Sequence, residues 1–135
     1  MTPQFVEPPA PQFLLRVESP IGRIELLSDG ETITSLAMEK AGHLPHEAFP
    51  EYSNPVLETA ARQLGEYFAG ERHSFDVPVT LKGTPFQMAV WQGLSSLDFG
   101  EVVSYGELGA STGRPTAGRA VGGAVGANPI PIIVP

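Results

Sequence analysis

Ser104-Tyr105-Gly106-Glu107-Leu108, Arg119-Ala120-Val121-Gly122-Gly123-Ala124 and Asn128-Pro129-Ile130-Pro131-Ile132-Ile133-Val134-Pro135 stand in order in the last third of this 135-residue chain. Ser104 and Glu107 have the spacing of a capping box, which opens a short helix that Gly113 ends. Pro115 sits where the first turn of a following helix belongs, and that helix runs to about Val125. Two short helices joined by a tight Gly-Arg-Pro turn predict a helix-turn-helix.

Upstream, Thr84-Pro85-Phe86-Gln87 is another capping box with proline at the first helical position. Phe86, Val90, Trp91, Leu94 and Leu97 give its helix one apolar face, and Phe99-Gly100 closes it. Trp91 lies on that stripe and reads as core rather than as a platform for stacking bases. Phe13 to Met38 reads as an antiparallel meander of three strands, with turns at Ser19-Pro20-Ile21-Gly22 and Ser28-Asp29-Gly30. Residues 39–53 form a loop. Ser53-Asn54-Pro55 starts a helix that carries Leu57, Ala60, Ala61, Leu64, Tyr67 and Phe68 and ends at Gly70. Phe75 to Val79 is read as one more short strand, which Pro78 confines to an edge or an end. The expected fold class is α+β. A leader over 1–12 with four prolines precedes an N-terminal α/β lobe (13–81) of small sheet plus helix. An all-helical, winged-helix-like lobe with the helix-turn-helix follows (82–135).

Composition narrows the function. The apolar fraction is 41% and mean hydropathy is zero, as in globular domains. No window approaches the ~18 consecutive apolar residues of a membrane span, and no secretory signal is visible, so the expected location is cytoplasmic. Zero cysteines exclude disulfides and thiolate metal sites. The net charge is −7, and all of it lies in residues 1–81, where twelve acids face five bases; residues 82–135 carry three of each. Such a chain does not bind nucleic acid by bulk charge. A local contact from the neutral half would use backbone amides, helix ends and one or two arginines. His43 and His46, two histidines without further ligands, read as solvated rather than as a metal pair, and no metal or cofactor is expected. Ser111 and Thr112 have no histidine partner nearby in sequence, and no phosphate-cradling glycine loop is present.

The helix after Pro115 is nearly bare, with Ala117, Gly118, Ala120, Gly122, Gly123, Ala124 and Gly126. Each interior glycine costs about 1 kcal/mol relative to alanine. That cost is accepted where something bulky approaches the backbone, either a DNA groove or a neighbouring helix. Arg119, its one charged side chain, suits a base stack or an ordinary surface ion pair.

Together these residues resemble the methylated-DNA–protein-cysteine methyltransferases, also called alkylguanine-DNA alkyltransferases. The likeness is dense from Gly83-Thr84-Pro85-Phe86-Gln87 through Trp91, Phe99-Gly100-Glu101, Ser104-Tyr105, Arg119-Ala120-Val121-Gly122 and Asn128 to Pro135. The last eight residues fit the segment entering the family's Pro-Cys-His-Arg motif. The resemblance implies a ribonuclease-H-like N-terminal lobe and a recognition helix in the minor groove of double-stranded DNA containing alkylated guanine. It implies DNA contacts from Ser104, Tyr105, Thr116, Ala117, Arg119, Ala120 and Gly122, with Arg119 replacing the flipped nucleotide and Tyr105 crowding the 3′ phosphate. Tyr105, Val125, Asn128 and Pro131 are implied as base pocket and hinge, with Asn128 tying the recognition helix to the active-site segment. The alkyl group would pass once, without cofactor, to a cysteine thiolate activated by a histidine and a distal glutamate. A monomer is implied once the chain is complete.

The sequence departs from that pattern at its end. It stops on Pro135, the residue before the family's cysteine, and His43, His46 and His73 all lie away from the motif. Without a thiolate there is no soft nucleophile for the alkyl carbon, so the expectation is a truncated, catalytically dead chain. Ile130, Ile132, Ile133 and Val134 are expected to line a core lacking its other wall, an open apolar tail prone to association. Two other readings remain: a non-catalytic lesion-binding module of the alkyltransferase-like kind, and a helix-turn-helix regulator.

Overall fold

The computed structural model describes residues 12–95 and 123–134. Strands β1 (Phe13–Val17), β2 (Ile24–Ser28) and β3 (Ile33–Met38) form an antiparallel sheet in the order β1-β2-β3. The register sets Arg16 opposite Glu25 and Leu26 opposite Leu36, and slips between Leu27 and Ser28. The turn into β3 is closed by Asp29, whose Oδ1 accepts from the amides of Glu31 (3.0 Å) and Thr32 (2.8 Å).

Both sheet edges are covered, which removes the open ladders that invite intermolecular pairing. On the β1 side, Leu14 and Tyr52 exchange two backbone hydrogen bonds of 2.9 Å. On the β3 side, Ile33 donates to Pro78 O and accepts from Thr80 N, again at 2.9 Å. The strand expected over Phe75–Val79 is reduced to this single parallel bridge between Ile33 and Val79. Pro78 has no N–H to extend a ladder, so only its carbonyl joins.

Helix α1 (Pro55–Phe68) starts as its sequence requires, with Asn54 Oδ1 accepting from Leu57 N at 2.9 Å and proline in the first turn. It ends in a Schellman motif. Gly70 has φ +78°, Glu71 N donates to Glu66 O (2.9 Å) and Gly70 N to Tyr67 O (3.1 Å). Leu57, Ala60 and Leu64, at helical spacing, are buried against the sheet. Each leucine so buried contributes about 2 kcal/mol. Gln63, also buried, accepts from Asp76 N at 3.2 Å and donates to Asp76 Oδ1, fastening the 75–77 segment to α1.

Helix α2 (Pro85–Ser95) has the expected capping box, with Gln87 N to Thr84 Oγ1 at 3.1 Å and Thr84 N to Gln87 Oε1 at 3.0 Å. Val90 and Trp91 are buried and join the same apolar cluster as Ile24, Leu26, Leu36 and Leu57. One core therefore runs from the sheet into the C-terminal part. Trp91 is 1% exposed, as its stripe predicts. Gly83 lets the ring close over the backbone, since a Cβ there would meet Trp91 at 2.6 Å. None of the described helices is long and apolar enough to cross a membrane. The expected helix-turn-helix lies outside the described residues except for the end of its second helix, at residues 123–126, and the winged-helix-like form is not tested by the described residues.

Candidate functional site

Residues 123–126 form a helical turn that is anchored from below. Trp91 Nε1 donates to Ala124 O at 2.8 Å in a buried hydrogen bond, so α2 fixes the height of this turn. Asn128 follows it and closes on the chain ahead. Its Nδ2 donates to Val134 O at 2.6 Å and its Oδ1 accepts from Ile130 N at 2.9 Å. Val134 N returns to Ile130 O at 2.9 Å, and Leu36 N of β3 donates to Pro129 O at 3.0 Å. The segment is thus held by α2, by β3 and by its own asparagine.

The burial of Ile130 (0%), Ile133 (9%) and Val134 (4%) corrects the expectation of an open apolar tail. Their other wall is the core already built by β2, β3, α1 and Trp91, and Ile132 is partly buried against it. Ile132 has φ +74°, a left-handed backbone that is unusual for a β-branched residue.

A cleft of about 630 Å³ separates this segment from the sheet. One wall is β3 and the turn after it, with Leu36, Met38, Lys40 and Leu44; the other is Val125, Asn128, Pro129 and Pro131. A two-residue hairpin turn forms the rim, in which Lys40 and His43 exchange backbone bonds across Ala41 (φ 52°) and Gly42 (φ 80°). His43 Nδ1 meets Glu47 Oε1 at 2.8 Å, and this bond, followed by the Leu44 amide, holds the Glu47 carboxyl below its ordinary range. Behind the turn, Arg23 N and Nε bond Glu39 at 2.9 and 3.1 Å, which lowers the Glu39 pKa likewise.

A second cluster fastens the rest of this loop. Glu25, only 1% exposed, accepts at Oε1 from His46 N (3.1 Å), lies 2.9 Å from His46 Nδ1, and pairs with Arg16 Nε at 3.4 Å. Arg16 Nη2 caps His46 O and Phe49 O at 2.7 and 2.6 Å. His43 and His46 are therefore each engaged by a carboxylate.

Of the residues implied as pocket and hinge, Val125, Asn128 and Pro131 come together on this cleft. Ser104, Tyr105, Thr116, Ala117, Arg119, Ala120 and Gly122 lie outside the described residues. Gly123 and Gly126 are exposed, and among the described residues no atom lies within 4 Å of a Cβ built on either. No described helix requires glycine at those two positions. Reading the sequence alone missed the Trp91–Ala124 bond, the β3 wall and the Ile132 backbone. The approach of Leu36 to Pro129 joins positions far apart in sequence and left no local signal. A proline on each side of Ile130 is the local signal that could have indicated a fixed path for the segment.

Two family models match the chain: the ribonuclease-like domain of 6-O-methylguanine DNA methyltransferase over residues 16–81, and its DNA binding domain over residues 85–135. The chain belongs to the 6-O-methylguanine DNA methyltransferase family. Among its relatives, the methylated-DNA–protein-cysteine methyltransferase of Haemophilus influenzae is 44% identical over 119 residues, covering 87% of this chain and 66% of the relative. That of Mycobacterium tuberculosis is 43% identical, with 88% and 72% covered. The constitutive enzyme of Bacillus subtilis is 39% identical, with 87% and 74% covered. The chain thus spans about two thirds to three quarters of these relatives' lengths. Solved structures of this family agree in fold. The Mycobacterium tuberculosis O6-methylguanine methyltransferase superposes with a TM-score of 0.80 at 42% identity, covering 91% of this chain and 74% of the other. Mycobacterium tuberculosis OGT in complex with DNA gives 0.77 at 43% identity, with 89% and 73% covered.

Proposed function

We propose that this chain serves DNA repair by engaging double-stranded DNA at an alkylated guanine, as the DNA-holding part of an alkylguanine-DNA alkyltransferase. The observation that carries this reading is the Asn128 clamp. One side chain joins the end of the glycine-rich turn to the segment Ile130–Val134, so a duplex resting on the former has a fixed relation to the latter. The open surfaces at Gly123 and Gly126 suit close approach of a minor groove. Arg119 is assigned to fill the stack when the damaged base rotates out, with Tyr105 pressing on the adjoining phosphate. Ser104, Thr116, Ala117, Ala120 and Gly122 complete the contact, and one monomer engages one lesion.

In the reaction of this class a cysteine thiolate forms an S–C bond to the alkyl carbon as the bond from that carbon to guanine O6 breaks. The guanine leaves with the electron pair and gains a proton. The 135 residues contain no cysteine, so the acceptor is not among them, and alone they bind without transferring. This favours a second reading, in which these residues act as a lesion-binding module. Incubation with duplex carrying a labelled O6-methyl group tests the inactive assignment that both readings share; a mass gain on the 135-residue chain would overturn it.

Fluorescence anisotropy with an alkylguanine duplex and its unmodified twin tests the binding itself. A preference on the order of tenfold, equal to ~1.4 kcal/mol, is expected for the lesion. Arg119→Ala is expected to remove that preference. Equal, steeply salt-dependent affinity for both duplexes would mark a general DNA binder, and absence of binding would end the proposal.

A further inference from the structure

We propose that Ile132 is a positioning residue whose left-handed backbone, locked by the Asn128 side chain, fixes the path of residues 130–134 beside the cleft. Ala41 and Ile132 are the non-glycine residues with positive φ among the described residues, and Ile132 (φ +74°) is β-branched. In that region the Cβ crowds the following carbonyl, so such a residue persists only where its surroundings over-determine it.

Here they do. Pro129 and Pro131 have restricted φ, and Pro129 O is taken by Leu36 N at 3.0 Å. Ile130 and Val134 are buried, and they meet through Val134 N to Ile130 O at 2.9 Å. Asn128 then bonds both ends of the turn, Ile130 N at 2.9 Å and Val134 O at 2.6 Å. Residue 132 is the link left to reverse the chain. Isoleucine is kept there because its side chain packs against the core, whereas glycine would give the conformation freely but also admit other paths. The lock and the strain therefore oppose each other within one seven-residue span.

That opposition has a measurable sign. Removing the lock from the natural chain lets Ile132 relax, which offsets part of the loss. With glycine at that position there is no strain to release, and the full loss appears. In urea unfolding of the 135-residue chain, Asn128→Ala is expected to lower the folding equilibrium constant about tenfold more in the Ile132→Gly background than in the natural one. In the Ile132→Val background, which keeps the β-branch, the effect should match the natural chain. Additive effects, or a smaller loss beside Ile132→Gly, would overturn the lock. If Asn128→Ala does not fold, Asn128→Asp, which loses the Nδ2 donor and keeps an acceptor, takes its place.

The positioning role rests on the DNA reading above and has its own readout. Folded Ile132→Gly should lose its preference for alkylguanine duplex over plain duplex, and Ile132→Val should retain it. An unchanged preference in Ile132→Gly would reduce Ile132 to packing alone. A natural chain with no preference would remove the DNA reading, while the unfolding cycle, which needs no DNA, still decides the lock.

Discussion

Trp91 joins two parts of the molecule with one ring. Its carbons fill the core beside Val90 and press on Gly83, and its indole N–H reaches Ala124 O. The hydrogen bond is buried, and losing the donor leaves Ala124 O with the longer 3.2 Å bond from Ala127 N. Trp91→Phe removes that donor and also leaves a void where the second ring lay. The expected loss is about 2–4 kcal/mol of unfolding free energy, read from the urea midpoint. A loss below about 0.5 kcal/mol, the range of an ordinary surface substitution, would mean that Ala124 is not tethered by this bond. Because Ala124 lies four residues before Asn128, the same variant should also loosen the clamp.

Helix α1 was legible because its signals are local. Asn54, Pro55 and Gly70 each act within one turn, and the apolar stripe needs only the helical period. Its two glycines give opposite predictions. Gly65 lies on the exposed face inside the helix, and Gly70 lies just beyond its end at φ +78°; a Cβ on either would meet nothing within 4 Å. Space is therefore the same at both and only the backbone differs. Gly65→Ala should stabilise the chain by about 0.5–1 kcal/mol, and Gly70→Ala should destabilise it by about 1–2 kcal/mol, in matched urea titrations. A stabilising Gly70→Ala would show that the Schellman end does not form. The meander and the Thr84–Gln87 capping box were readable for the same reason. The Phe75–Val79 strand was overread, because its apolar residues suit a strand while Pro78 and the segment's tie to Gln63 leave one bridge. Glu25 was underread: alternation along β2 puts it on the face away from Ile24 and Leu26, yet loop 39–53 covers that face and buries it. In the site, Asn128 was found through its motif, whereas Ile132 and the β3 wall depend on how distant segments close together.

Taken whole, the molecule carries its acid excess in the N-terminal part, and three of those carboxylates stabilise loops there. Asp29 is held below its ordinary value of 3.8 chiefly by the Glu31 and Thr32 amides that close the β2–β3 turn. Glu39 is lowered from 4.5 first by the Arg23 amide and then by its guanidinium, and Glu47 from 4.5 first by His43. A depressed pKa means that the folded state binds its proton less readily than the unfolded chain does. The stabilisation is therefore complete above the unfolded value and is lost as pH falls through the folded one. The thermal midpoint should hold steady as pH falls from neutrality, begin to drop below 4.5 as Glu39 and Glu47 lose their contribution, and drop further below 3.8 as Asp29 does. All three groups lie near solvent, so each step is small, and salt should shrink the ion-pair part of the Glu39 and Glu47 contributions while sparing the part that backbone amides supply to all three. Glu39→Gln should flatten the first part of the acid limb and Asp29→Asn the second, each measured against the natural chain by scanning calorimetry. If the two variants track the natural chain throughout the acid range, Glu39 and Asp29 do not hold their loops, and the rim of the cleft rests on the Lys40–His43 backbone bonds, the His43–Glu47 bond and the Glu25–Arg16–His46 cluster.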